Sequence, residues 1–228
     1  MREIVLDTET TGFEPSEGHR IVEIGAVELF NHVPTGSTYH QYINPERSMP
    51  KEAFAVHGLG DEFLRDKPVF ARIGQAFLDY IGDATLVIHN ASFDMKFLNA
   101  ELSKANLTKL PSSQALDTLL IARRKFPGSP ASLDALCRRF GVNNSAREKH
   151  GALLDSEILA EVYLELIGGR QPDLVLASSK SAGTQSQTAD WTPAPRRDPL
   201  PSRLTAEEKA AHVAFIEELG EGSLWTKY

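Results

Sequence analysis

Apolar residues recur along this chain in two rhythms. The first is short and β-branched. Ile4-Val5-Leu6 lies in a segment Glu3–Leu6 that reads as a buried strand. In Arg20–Phe30, Val22, Ile24 and Ala26 alternate with Glu23, Gly25 and Val27, and Thr38–Ile43 repeats the pattern, so three strands are predicted. A loop with Pro45 and Pro50 follows. The rhythm then becomes helical. Over Val69–Ile81, the residues Ile73, Phe77, Leu78 and Ile81 fall on one stripe. Thr85–Ile88 reads as another strand, and Ala91–Ala105, Leu116–Phe126, Leu133–Phe140 and Ala152–Ile167 read as helices. Strands first, then strand–helix alternation, predict an α/β fold with a sheet flanked by helices.

The pattern ends after Leu176. Residues 177–203 carry eight Ser or Thr and four Pro, with no Ile, Val or Phe, so they cannot bury enough to offset ordering and read as a flexible linker. A final helix is expected beyond it. Thr205-Ala206-Glu207-Glu208 has the spacing of a capping box, Ser202 being the other candidate cap, and Val213, Phe215, Ile216 and Leu219 supply apolar positions. The helix stops at Gly220, and Leu224-Trp225 follow. A lone apolar helix on a tether has nothing of its own to pack on. It either folds back on the main domain or docks in a partner's groove, and the second reading is preferred. The expected divisions are residues 1–170, 171–176, 177–203 and 204–228.

Composition narrows the class. The 228 residues allow one domain and an appendage, and 41% apolar content is enough for a core. The lone Cys137 excludes an intramolecular disulfide and, on an amphipathic segment, reads as a buried structural thiol. No apolar run is long enough for a membrane span, and the chain opens directly into a strand, so a cytoplasmic protein without a signal peptide is expected. The net charge of −7 argues against a stand-alone nucleic-acid binder. It leaves open an enzyme that meets a phosphodiester through metal ions. Arg123-Arg124-Lys125, Arg138-Arg139 and Arg147 with Lys149 could touch phosphates, although solvated helix faces explain most of them.

Candidate chemistry lies in the acids. Asp7 and Glu9, two apart at the end of a buried strand, point the same way and repel each other. A divalent cation would relieve this, and a solvated acidic turn is the alternative. In His89-Asn90-Ala91-Ser92-Phe93-Asp94, Asn90 is placed to cap the next helix, and Asp94 shares the inward face of Phe97 and Leu98. In His150-Gly151-Ala152-Leu153-Leu154-Asp155, Asp155 aligns with Leu159, Val162 and Leu166, and His150 falls on the preceding loop. Four carboxylates from three elements suit two divalent ions, Mg²⁺ or Mn²⁺, and His150 suits a general base for an attacking water.

The set Asp7-x-Glu9, Asn90-x3-Asp94 and His150-x4-Asp155 resembles the three motifs of the DEDDh 3′→5′ exonucleases. More narrowly, Ile4–Gly12, Ile21–Val27, Val56-His57-Gly58-Leu59, Val87–Asp94, Ser132–Cys137 and His150–Leu164 resemble the proofreading exonuclease subunits of bacterial DNA polymerase III. The resemblance implies a ribonuclease-H-like mixed sheet. It implies that Asp7, Glu9 and Asp155 bind the metals directly, that Asp94 ligates more weakly or through water, and that His150 is the base. Glu52 and His57 match positions lining the terminal nucleotide, beside Asp7, Glu9, Asn90 and Asp155. Phe13 is either a wedge against the terminal base or a core aromatic.

Gln171-Pro172-Asp173-Leu174-Val175-Leu176 resembles the peptide that docks on the sliding clamp (beta), with Gln171, Leu174 and Leu176 as contacts. The C-terminal segment, with Phe215, Leu219, Leu224 and Trp225, resembles the region that holds the polymerase III alpha subunit. The remaining expected partner is a DNA 3′ end, and a small accessory subunit stays open. The function implied is a proofreading 3′→5′ DNA exonuclease releasing 5′-monophosphates. An RNA-trimming DEDDh nuclease and a non-catalytic adaptor between clamp and polymerase are the alternatives.

Overall fold

The computed structural model describes residues 1–145, 149–169 and 204–219. The chain divides into two units, Met1–Val175 and Leu176–Tyr228. Gln171, Leu174, Leu176, residues 177–203, Leu224 and Trp225 lie outside the described residues.

In the first unit, β1 (Arg2–Thr10) pairs antiparallel with β2 (Ile21–Phe30), and β2 pairs antiparallel with β3 (Val33–Tyr42). On the other side β1 pairs parallel with β4 (Thr85–Ile88), which pairs parallel with β5 (Ala115–Asp117). The sheet is therefore mixed, in the order β3-β2-β1-β4-β5. Its helices are α1 (Lys51–His57), α2 (Asp61–Leu64), α3 (Phe70–Ile81), α4 (Ala91–Lys104), α5 (Thr118–Lys125), α6 (Leu133–Phe140) and α7 (Ala152–Leu166).

Strand alternation sorts the core. Ile4 and Leu6 of β1, with Ile24, Leu86 and Ile88, pack against Phe70 and Phe77 of α3 and Phe97 and Leu98 of α4. Val5, Val27 and Val87 face Leu159 and Tyr163 of α7 on the opposite side. Cys137 is fully buried among α5, α6 and α7, as a structural thiol should be.

Three expectations need correction. The loop with Pro45 and Pro50 contains α1 and α2, because Pro50 occupies the N-cap position of α1 and Gly58 closes it in the left-handed conformation. Leu116–Phe126 is not one helix. Asp117 ends β5, and its side chain accepts from the amides of Leu119 and Leu120, so the helix starts after it. The third strand begins at Val33 rather than Thr38, since Asn31 and His32, both with positive φ, form a tight turn that lets Phe30 pair with Val33.

In the second unit, α8 (Ala206–Leu219) starts with the expected capping box. The Glu208 amide donates to Thr205 Oγ1 at 3.2 Å, and the Thr205 amide donates to Glu208 Oε2 at 2.8 Å. Phe215 and Leu219 are exposed. No helix among the described residues is long and apolar enough to cross a membrane.

Candidate active site

The site forms where β1 outruns its parallel neighbour. β4 pairs with β1 only as far as Val5, whereas β2 accompanies β1 to Thr10. The last residues of β1 therefore edge an open cleft. Odd-numbered residues of this strand face α7. At one end the Tyr163 hydroxyl of α7 donates to buried Glu3 at 2.6 Å, and at the other Asp7 and Glu9 line the same cleft as Asp155. Glu9, Asp155 and His150 each offer a ligand atom within 4.8 Å of the others.

Thr8 points the other way. Its hydroxyl donates to Asp94 Oδ1 of α4 at 2.7 Å, so Asp94 reaches the cleft from the opposite side of the sheet. The cavity, about 720 Å³, is lined by Asp7, Glu9, Asn90, Asp94, His150 and Asp155 among others. Two of its carboxylates, Asp94 and Asp155, are almost fully buried. Burial pushes the Asp94 carboxyl up to about 7. The hydrogen bond from Thr8 opposes this, and the charge of Asp117 adds to it.

Asp155 reaches the cleft because α7 lies directly on the backbone of β2. A Cβ built on Gly25 would sit 2.1 Å from the Leu153 nitrogen and 2.2 Å from the Ala152 carbonyl carbon. Ser156 secures the contact by donating to the Gly25 carbonyl at 2.9 Å. Gly25 pairs with Asp7 across the strands, so the absent side chain is what brings the start of α7 beside the acids of β1.

His150 lies on the loop before α7, as expected, half-exposed, with Nδ1 3.6 Å from Asp155 Oδ2. Its amide donates to the Val56 carbonyl of α1 at 3.3 Å.

Asn90 holds the N-cap position of α4 but does not cap it. Its backbone is left-handed and its side chain makes no cap hydrogen bond. Asp117 supplies the bonds instead, accepting from the Asn90 and Ala91 amides at 3.2 Å each while also capping α5. One carboxylate thus fixes two helix starts on the cleft wall. With four amide donors it is satisfied without a metal.

The nucleotide-side residues spread more widely. Glu52 is exposed on α1, and His57, the last residue of α1, is buried and accepts from the Leu59 amide. Burial holds its imidazole below the ordinary histidine value. Phe13 is 79% exposed, which removes the core-aromatic reading. Its carbonyl accepts from Lys96, which also pairs with Glu14. Glu52, His57 and Phe13 do not line the cavity itself.

Among the basic residues raised from sequence, Arg123 reaches the cavity, while Lys125 donates to the Leu166 carbonyl and Arg139 lies over Phe126. The sequence reading missed Thr8, Gly25 and Asp117. Each left a signal: Thr8 has the opposite parity to the acids, Gly25 interrupts a strand, and Asp117-Thr118 is a helix-start pair.

The donor set suits hard divalent cations, which take carboxylate oxygens. The burial of those carboxylates fits it too, since clustered acids out of water need a counter-charge.

Comparison with known proteins shows the family and the fold. A family model described as Exonuclease (RNase T) matches residues 4–163. DNA polymerase III subunit epsilon of Rickettsia typhi is 58% identical over 222 residues, covering 96% of this chain and 97% of that protein. The subunit of the same name from Escherichia coli K12 is 46% identical over 239 residues, covering 98% and 97%. The fold matches the nuclease domain of 3′hExo, a DEDDh family member bound to rAMP. The TM-score is 0.64 with 21% identity over 73% of this chain and 91% of that one. Exonuclease X with 5′-overhanging duplex DNA gives a TM-score of 0.55 with 24% identity, covering 72% and 90%.

Proposed function

The chain belongs to the DEDDh exonuclease family and, within it, to the epsilon subunits of DNA polymerase III, and from that premise we propose which of its residues carry the reaction. It is a metal-dependent 3′→5′ exonuclease that proofreads for the replicative polymerase. Nucleotidyl transfer belongs to the polymerase complex, and the chemistry of this subunit is hydrolysis.

The observation that carries the assignment is the convergence of Glu9, His150 and Asp155 within 4.8 Å, in a cleft that Asp7 and Asp94 also line. Asp7, Glu9 and Asp155 would hold two divalent cations, Mg²⁺ or Mn²⁺, and Asp94 would ligate more weakly or through water. When bound, the cations neutralise the acids and polarise the scissile phosphodiester. His150, at the half-exposed rim beside Asp155, takes the proton from the attacking water. The water oxygen bonds to the phosphorus of the terminal nucleotide as the bond from that phosphorus to the 3′ oxygen of the preceding nucleotide breaks. That oxygen takes up a proton as the 3′ hydroxyl of the shortened strand, and a nucleoside 5′-monophosphate leaves. Glu52, His57, Asn90 and exposed Phe13 receive the terminal nucleotide. An unpaired end is preferred, because extruding a paired base costs a few kcal/mol.

The partners follow the same reading. Gln171, Leu174 and Leu176 dock on the sliding clamp (beta), and Phe215, Leu219, Leu224 and Trp225 hold the polymerase III alpha subunit in the cytoplasm. This suits a chain of net charge −7, since the partners then hold the DNA. A small accessory subunit is compatible with the assembly.

The test is nucleotide release from a 5′-labelled primer with a mismatched 3′ end, with Mg²⁺ or Mn²⁺, beside Asp7→Ala and an all-RNA strand. Stepwise DNA shortening, faster at the mismatch and abolished in the variant, is expected. Preferential trimming of RNA would overturn the DNA assignment, and no metal-dependent cleavage would leave only an adaptor.

A further inference from the structure

The chain that delivers His150 is anchored on α1, away from the acids. Besides the bond from the His150 amide to Val56, the Lys149 ammonium lies 5.5 Å from the centre of the Phe54 ring, within cation–π range. The two glycines after α1 leave room for this contact. A Cβ on Gly58 would meet Lys149 Cδ and Nζ at 2.8 Å, and one on Gly60 would meet the Phe54 ring at 3.3 Å. Gly58 also has φ +75°, which an L side chain rarely adopts. Phe54 is 45% exposed on a seven-residue helix, so the core does not account for it. What its ring does carry is the side chain of the residue immediately before His150.

We propose that Phe54 and Lys149 are positioning residues: the Lys149 side chain, laid over Phe54 and along Gly58, sets where His150 meets Glu9 and Asp155. The inference rests on His150 being the general base. The contact ties the residue before His150 to α1, the helix that also carries Glu52 and His57. Residue 149 adjoins the base, so a shift of its backbone passes directly to the imidazole, and about 1 Å of misplacement can cost about 100-fold in rate.

The experiment is a double-mutant cycle in the full chain, measured on the mismatched primer. Phe54→Ala and Lys149→Ala should each lower kcat by about tenfold, with KM within about twofold and the melting temperature unchanged. Lys149→Met, which keeps the stem over the ring, should recover part of the loss. In a His150→Ala background, Phe54→Ala should cost nothing further, because its effect runs through the imidazole. Equal losses in both backgrounds would overturn the inference and place Phe54 on the substrate or in the fold. A His150→Ala protein as fast as wild type would instead overturn the base assignment, and this inference with it.

Discussion

Helices α7 and α8 are nearly equal in length, fifteen and fourteen residues, yet they differ in burial. α7 buries nine residues against the sheet and its neighbours, and one of them is the carboxylate Asp155. α8 buries none, although it carries Val213, Phe215 and Leu219. The first helix is held by packing and carries a carboxyl side chain into a buried place. The second is held at its start by a reciprocal cap and offers its apolar side chains outward. Burial therefore separates the helix that brings an acid to the cleft from the helix whose apolar side chains stay exposed.

Removing the charges that α7 and β1 bring together should have the largest effect. Replacing Asp7 and Glu9 together with Ala should lower nucleotide release by on the order of 10³-fold or more, with the fold intact by circular dichroism. Retained activity would mean that the acids of this cleft are not the catalytic set.

The contact that seats α7 comes next. Gly25→Ala inserts a methyl where backbone lies 2.1 Å away, so the helix must withdraw and take Asp155 with it. A loss of about 3 kcal/mol in urea unfolding is expected. Activity should fall further than the lost stability alone explains. A variant as stable and active as wild type would show that α7 does not depend on that approach.

A third effect concerns pH. The Asp94 carboxyl stands at about 7 in the folded chain against an ordinary value near 4, so the folded state binds this proton more tightly than the unfolded state. Its contribution to stability is fully present below about pH 4 and is lost as pH rises through about 7. In EDTA the melting temperature should therefore drop between about pH 5.5 and about pH 8. Mn²⁺ should narrow the drop and Asp94→Asn should remove most of it. An unchanged slope in Asp94→Asn would assign the effect to other groups.

The smallest effect belongs to α8. Thr205→Ala removes one half of the cap and should cost that helix about 1 kcal/mol, read as reduced helical content. Deleting residues 204–228 should leave nucleotide release within about twofold of wild type while abolishing capture of the polymerase alpha subunit. Loss of nuclease activity on deletion would contradict the division of labour between the helices.

Much of this contrast is legible in the linear pattern, and the parts that are not share a cause. Helical spacing marks Asp155 with Leu159, Val162 and Leu166 as one inward face, and all four are buried. The same reasoning places Asp94 with Phe97 and Leu98 correctly. It fails at Asn90, because a cap was inferred from residue type at that position, whereas the bonds come from Asp117, 27 residues away. It fails at Leu116–Phe126, where a three-residue strand is too short to show a period and exists because β4 offers an edge. α1 and α2 were hidden by Pro45 and Pro50, although proline tolerates a helix start well.

By itself the sequence determined which faces of α4 and α7 are inward, that three separate elements each carry an acid, and that the last helix is capped. These follow from local periodicity and capping, which act within a few residues. Only the tertiary structure decided that Thr8 turns Asp94 into the cleft from the far side of the sheet, that Gly25 admits α7 to the acids of β1, and that Phe54 and Lys149 hold the chain leading to His150. Those relations join residues distant in sequence, and no local pattern encodes them, because they depend on which strand ends first and on how closely two backbones can approach.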